Sequence, residues 1–98
     1  MSDTLGLLEE SLQLARDLGY LIREEPLGDL PGGTCSLGGK PHILLNMEQS
    51  PAERLAVLVR SLVADERVES LPVSRLLQSR LRAARAEAGR RPSESGAT

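Results

Sequence analysis

Aromatic side chains are almost missing from this chain: in 98 residues there is no Phe, no Trp and a single tyrosine, Tyr20. A core must therefore be built from aliphatic groups, and recognition of bases or sugars by stacking has no platform. One cysteine, Cys35, excludes an internal disulfide and a multi-cysteine zinc site, and fits a reducing compartment. One histidine, His42, with no HExxH and no CxxC, leaves too few ligands of the right spacing for zinc. Gly32, Gly33, Gly38 and Gly39 match neither GxGxxG nor GxxxxGK[ST], so turn geometry accounts for them better than a phosphate cradle. No metal and no cofactor are expected. No apolar run approaches the roughly 18 residues of a membrane span. The N-terminal segment is acidic and amphipathic where a secretory signal is basic and then apolar. The expected location is the cytoplasm, without membrane association.

What is present is ordinary globular composition, 40% hydrophobic and 27% charged. The length suits one compact domain, read as residues 1–87, with a polar Gly/Ser/Pro tail over 88–98 expected to be disordered. Charge is uneven. Residues 1–72 carry twelve acidic and six basic side chains, residues 73–98 two acidic and six basic. The C-terminal stretch is thus cationic and the body anionic, so nucleic acid would meet repulsion from the body and is disfavoured as a partner.

Apolar spacing predicts a helix over 4–18, with Leu5, Leu8, Leu12 and Ala15 on one stripe and Leu7, Leu14 and Leu18 beside it. Together they widen the apolar arc to roughly half the cylinder, more than one core contact requires. Gly19 is read as a left-handed cap. The segment 20–25, stopped by Pro26, reads as a first strand. Gly38-Gly39 between GTCSL and KPHILLNM reads as a type I′ hairpin turn, pairing strands 34–37 and 41–47. That register sets Cys35 opposite His42, and Ile43, Leu45 and Met47 on the core face. Ser50-Pro51-Ala52-Glu53 is a capping box opening a helix over 51–65, with Arg54, Arg60 and Ser61 left for solvent. A third helix is expected over 73–86. The predicted fold is α+β: a small antiparallel three-stranded sheet packed by three helices.

Three kinds of chemistry are open. Opposed hairpin residues hold their Cβ atoms about 5 Å apart, close enough for the His42 imidazole to activate the Cys35 thiol, which would make a small enzyme or ligand-binding protein. No third acidic or amide partner follows from spacing, and a strand cysteine commonly serves as a small hydrophobe. The arginines of the last helix, Arg80, Arg82 and Arg85 among them, suit an anionic partner or an acidic protein surface. Glu9-Glu10 and Glu24-Glu25 read as solvated faces. The excess apolar surface, Leu7, Leu14 and Leu18 on the first helix with Leu37 and Leu44 on the hairpin's second face, points to a non-catalytic domain that binds a protein partner or itself.

The order helix, strand, GG hairpin ending in Ile43–Asn46, then the Ser50–Leu55 capped helix resembles in outline the core of ImmA/IrrE-type bacterial zinc peptidases. In that family the corresponding helix carries HExxH, whereas Glu53–Leu62 here contains no His and no Glu at the ligand positions, so peptidase activity is not implied. The chain is also similar to short bacterial proteins sharing an LGYxIR, GGxC, IxLN, capped-helix and LPxxR pattern. Leu18–Arg23, Gly32–Cys35, Ile43–Asn46, Ser50–Leu62 and Leu71–Arg75 match it. This second resemblance implies a bacterial source and no activity.

Overall fold

A computed structural model describes residues 3–89. Helix α1 spans Thr4–Asp17 and is closed by Gly19 at φ 99°. The Gly19 N–H donates to the Arg16 carbonyl (2.9 Å) and the Tyr20 N–H to the Ala15 carbonyl (3.0 Å), the paired bonds of a Schellman cap. Strand β1 is Leu21–Glu25, β2 Gly33–Leu37 and β3 Lys40–Asn46. Helix α2 spans Pro51–Val63, a 3₁₀ turn follows at Glu66–Ser70, and helix α3 spans Arg75–Gly89. Helix α3 thus passes the expected boundary at residue 87, and the rest of the expected tail, 90–98, lies outside the described residues.

The fold is α+β, but the sheet is mixed and not antiparallel. Its order is β1-β3-β2, with β1 parallel to β3 and β2 antiparallel to it. Residues 26–32 carry the chain from β1 to the far edge, and the hairpin returns β3 into the gap between. Side-chain periodicity reports which face a residue occupies and is blind to strand direction, and adjacency in sequence is an imperfect guide to pairing. Pro41 has no N–H to give, and the β1 ladder begins one residue later, at Leu21 opposite His42.

Gly38 and Gly39 adopt φ 59° and 80°, as a type I′ turn requires, and Thr34, Cys35, Ser36 and Leu37 face Ile43, His42, Pro41 and Lys40. The capping box of α2 forms in both directions: Ser50 Oγ accepts from the Glu53 N–H (3.2 Å) and Glu53 Oε1 from the Ser50 N–H (2.8 Å). Ile43 and Leu45 from β3 enter a core with Leu55, Leu58 and Leu62 of α2 and Leu77 and Leu81 of α3. Met47 lies just past the strand and is exposed, although the alternation placed it inward. Because α1 and α3 both pack on α2, this helix is covered on more than one side. Ser61, expected in solvent, is buried and donates to the Val57 carbonyl (2.9 Å), and Arg54 is half-buried.

Glu10 does more than solvate a face. Its carboxylate accepts from the Ser74 N–H (2.8 Å) and Ser74 hydroxyl (2.6 Å), while Ser74 Oγ accepts from the Leu77 N–H (3.1 Å). The first turn of α3 is therefore capped by Ser74, which α1 holds in place. Replacing Glu10 with Ala is expected to cost about 1–2 kcal/mol, in the range of a lost cap with a charge-assisted bond. Amide exchange should accelerate selectively in the first turn of α3. Unchanged exchange there would show that the cap stands without α1.

Candidate functional site

All three helices lie on the Ile43/Leu45 side of the sheet. Register assigns Leu21, Arg23 and Glu25 of β1, His42, Leu44 and Asn46 of β3, and Gly33, Cys35 and Leu37 of β2 to the opposite face. No helix packs there among the described residues. One row across this face reads Leu21–His42–Cys35, and Leu37 stands at the turn end, beside Lys40 in register. Leu21 and Leu37 are each 47% exposed and Leu44 is half-buried. Leu27, Leu30, Pro31 and Leu44 line a shallow apolar hollow of about 280 Å³ beside Gly32 and Gly33.

The expected apposition of Cys35 and His42 is present in register. His42 is buried, flanked by Leu21 and Cys35, and its Nδ1 lies 3.0 Å from the Lys40 carbonyl oxygen. A carbonyl only accepts, so Nδ1 carries a proton, and of the two neutral tautomers this is the one with its lone pair on Nε2. Cys35 is a half-buried free thiol, and among the described residues no hydrogen bond joins it to the ring. Among those residues no group of three His, Cys, Asp or Glu side chains gathers where a metal ion could sit.

The apolar residues singled out on α1 are placed differently from the hairpin ones. Leu7 and Leu14 are core and Leu18 packs against it, so these three are used in contacts within the chain, while Leu5 at the start of α1 is 66% exposed. Leu37 and Leu44 remain on the uncovered sheet face. Arg80 and Arg82 are exposed and make no ion pair among the described residues, while Arg85 lies 3.8 Å from Glu69. Arg82 and Arg85 rim a second hollow of about 260 Å³ floored by Val68, Leu71, Val73 and Leu81. Exposed ion pairs of that length contribute little.

Two features of the site carry no periodic signal. Asn46, buried under residues 27–30, makes four hydrogen bonds. Oδ1 accepts from the N–H groups of Leu27 (3.0 Å) and Glu48 (2.9 Å), and Nδ2 donates to the carbonyls of Gly28 (2.9 Å) and Leu30 (2.8 Å). Every donor and acceptor site of the amide is used, fastening the loop to the end of β3. Tyr20, at the entry to β1, donates its hydroxyl to Asp65 Oδ2 (3.0 Å), whose carboxylate also takes Arg67 Nη2 (2.7 Å), Nε (3.1 Å) and backbone N–H (3.0 Å).

The Arg67 guanidinium holds the Asp65 carboxyl well below the usual range, helped by the Arg67 N–H and the Tyr20 hydroxyl and opposed by burial. Burial first, and the bond to Asp65 second, push the Tyr20 phenol above its ordinary value. The signs differ. A lowered carboxyl stabilises the fold above the unfolded-chain value, and that contribution is lost as pH falls below about 4. A raised phenol stabilises below about pH 10 and is lost as pH rises through the folded value. Since Tyr20 is the sole aromatic residue, its absorbance titration should run to higher pH in the folded chain than in urea. Asp65→Asn should move the folded curve back toward the unfolded one. Coincident folded and unfolded curves for the natural chain would contradict the bond.

Comparison with protein-family models, curated proteins and solved structures gives no match for this chain. Among the described residues no helix is long and apolar enough to cross a membrane.

Proposed function

We propose that this chain is a small non-catalytic binding domain of bacterial origin, acting in the cytoplasm, whose contact surface for protein is the sheet face opposite the helices. The observation that supports it is the aliphatic side chains spread over that face, Leu21 and Leu37 at 47% exposure, with Leu44 half-buried beside the hollow it lines with Leu30, itself 64% exposed. Isolated exposed leucines are normal, but a cluster beside a preformed hollow is the composition of a docking patch. The outline likeness to a zinc-peptidase core belongs to the same reading as a scaffold without its ligands. A photoreactive residue in place of Leu37 is expected to crosslink to protein in cells, a second copy or another chain. One in place of Leu76, similarly exposed at 52% on α3, is expected not to. Crosslinking from position 76 alone would overturn the reading.

A second reading rests on the Cys35/His42 apposition: a ligand site or small enzyme in which the free Nε2 lone pair serves the thiol. Alkylation of Cys35 across pH tests it, because an imidazole-assisted thiol reacts below the pH at which the urea-unfolded chain does. Binding of anions by Arg80, Arg82 and Arg85 is the weakest reading, and its check is a steep salt dependence.

A further inference from the structure

Both edges of the sheet expose unpaired backbone groups, but the two strands are unlike. The β1 edge carries Arg23, Glu24 and Glu25, the charges that commonly guard an edge against pairing. The β2 edge, GTCSL, has no charge and no proline, and four of its five residues are neither bulky nor apolar enough to block an approaching strand. In a two-residue hairpin the residues flanking the turn form a hydrogen-bonded pair, and bonded and non-bonded pairs then alternate. Cys35 therefore bonds inward to His42, while the N–H and C=O groups of Thr34 and Ser36 point outward. Thr34 and Ser36 are both exposed.

Taking the binding-domain reading as its basis, we infer that the partner of β2 is the β2 strand of a second copy, joined edge to edge about a twofold axis through Cys35. In this antiparallel register Thr34 of each copy meets Ser36 of the other in a bonded pair, and the two outward sets of backbone groups satisfy one another. Leu37 of each copy lies over Gly33 of the other, an aliphatic side chain above a residue with none. The two Cys35 residues oppose as a non-bonded pair, with Cα atoms about 4.5 Å apart, within disulfide reach. The same operation on β1 would set Arg23 against Arg23, a like-charge pair at the centre. Strand β2 is its own complement and β1 is not, which is the requirement of an isologous interface. The product is a six-stranded sheet with the aliphatic faces of both copies continuous.

The register makes the test specific. The natural chain is expected to sediment as a dimer at millimolar concentration. The double variant Thr34→Lys, Ser36→Lys opposes lysines twice across the axis and is expected to be monomeric. Thr34→Lys, Ser36→Glu opposes Lys to Glu twice and is expected to restore the dimer. Both pairs are solvent-exposed in one copy, so far-ultraviolet circular dichroism should confirm that each variant folds. Diamide, which takes one hydrogen from each of two thiols and is itself reduced to the hydrazine, should link the natural dimer through Cys35 and fail with the lysine variant. A natural chain that is monomeric at every concentration, or a dimer indifferent to both variants, would overturn the inference. Crosslinking from position 37 to another protein would still support the binding-domain reading.

Discussion

Replacing Asn46 with Ala is expected to lower stability by about 3–4 kcal/mol, the largest effect of any single polar substitution in this chain. The amide is 1% exposed and holds one N–H group and two carbonyls of a loop with little other backbone pairing, together with the Glu48 N–H just past β3. Stranding such groups costs about 1–3 kcal/mol each where water cannot reach them, and water will reach some. For a domain of this size that loss lowers Tm by roughly 12–30 °C. Asn46→Asp keeps the shape but turns a charged oxygen toward the Gly28 and Leu30 carbonyls, so at neutral pH it should be at least as damaging. The introduced carboxyl would titrate above its unfolded value, so the damage should diminish as pH falls through the folded value toward about 4. Urea unfolding of both variants is the check. A loss below about 1 kcal/mol for Asn46→Ala would mean that the loop is held otherwise.

Gly32→Ala is the second large effect, expected to cost about 3 kcal/mol through strain at positive φ together with overpacking. Gly32 sits at φ 86°, and a Cβ there would be driven into the Leu44 carbonyl oxygen, a backbone atom of the central strand that cannot rotate away. Gly28→Ala is the control: its φ is 62° but the space around its Cβ is open. Strain alone then applies, and about 1 kcal/mol is expected. The difference isolates the approach of the loop to β3. Equal losses in the two variants would show that the loop can shift away from β3, and the hollow beside Leu44 would then be adaptable.

Both predictions concern the segment that was hardest to read from sequence. The α2 capping box, the Gly38-Gly39 turn and the Gly19 cap are local rules within four or five residues, and the pattern alone located them. The Cys35–His42 pairing follows from the turn by counting. The direction of β1 does not, because alternation is unchanged when a strand is reversed. Asn46 appeared in the sequence as one polar residue at a strand end, and three of its four partners lie 16–19 residues away across a loop without periodicity. Glu10 and Ser74 are 64 residues apart and Tyr20 and Asp65 are 45 apart, so spacing gave no sign of either contact. The broad apolar arc of α1 was legible, but its use was not: helices α2 and α3 both pack against α1, so Leu7 and Leu14 are spent on the core. Leu21 and Leu37 stay exposed on the sheet, and Leu5 and Leu76 on the helices.

Cys35 lies on the uncovered face and on the axis of the inferred strand pairing, which makes it the most direct reporter of both. The decisive measurement is the rate of Cys35 alkylation by a small thiol reagent in the folded natural chain, at micromolar and at millimolar protein. The account predicts that the rate falls as the chain is concentrated and that Thr34→Lys, Ser36→Lys removes the fall. A rate independent of concentration, equal in the natural chain and the variant, would contradict it.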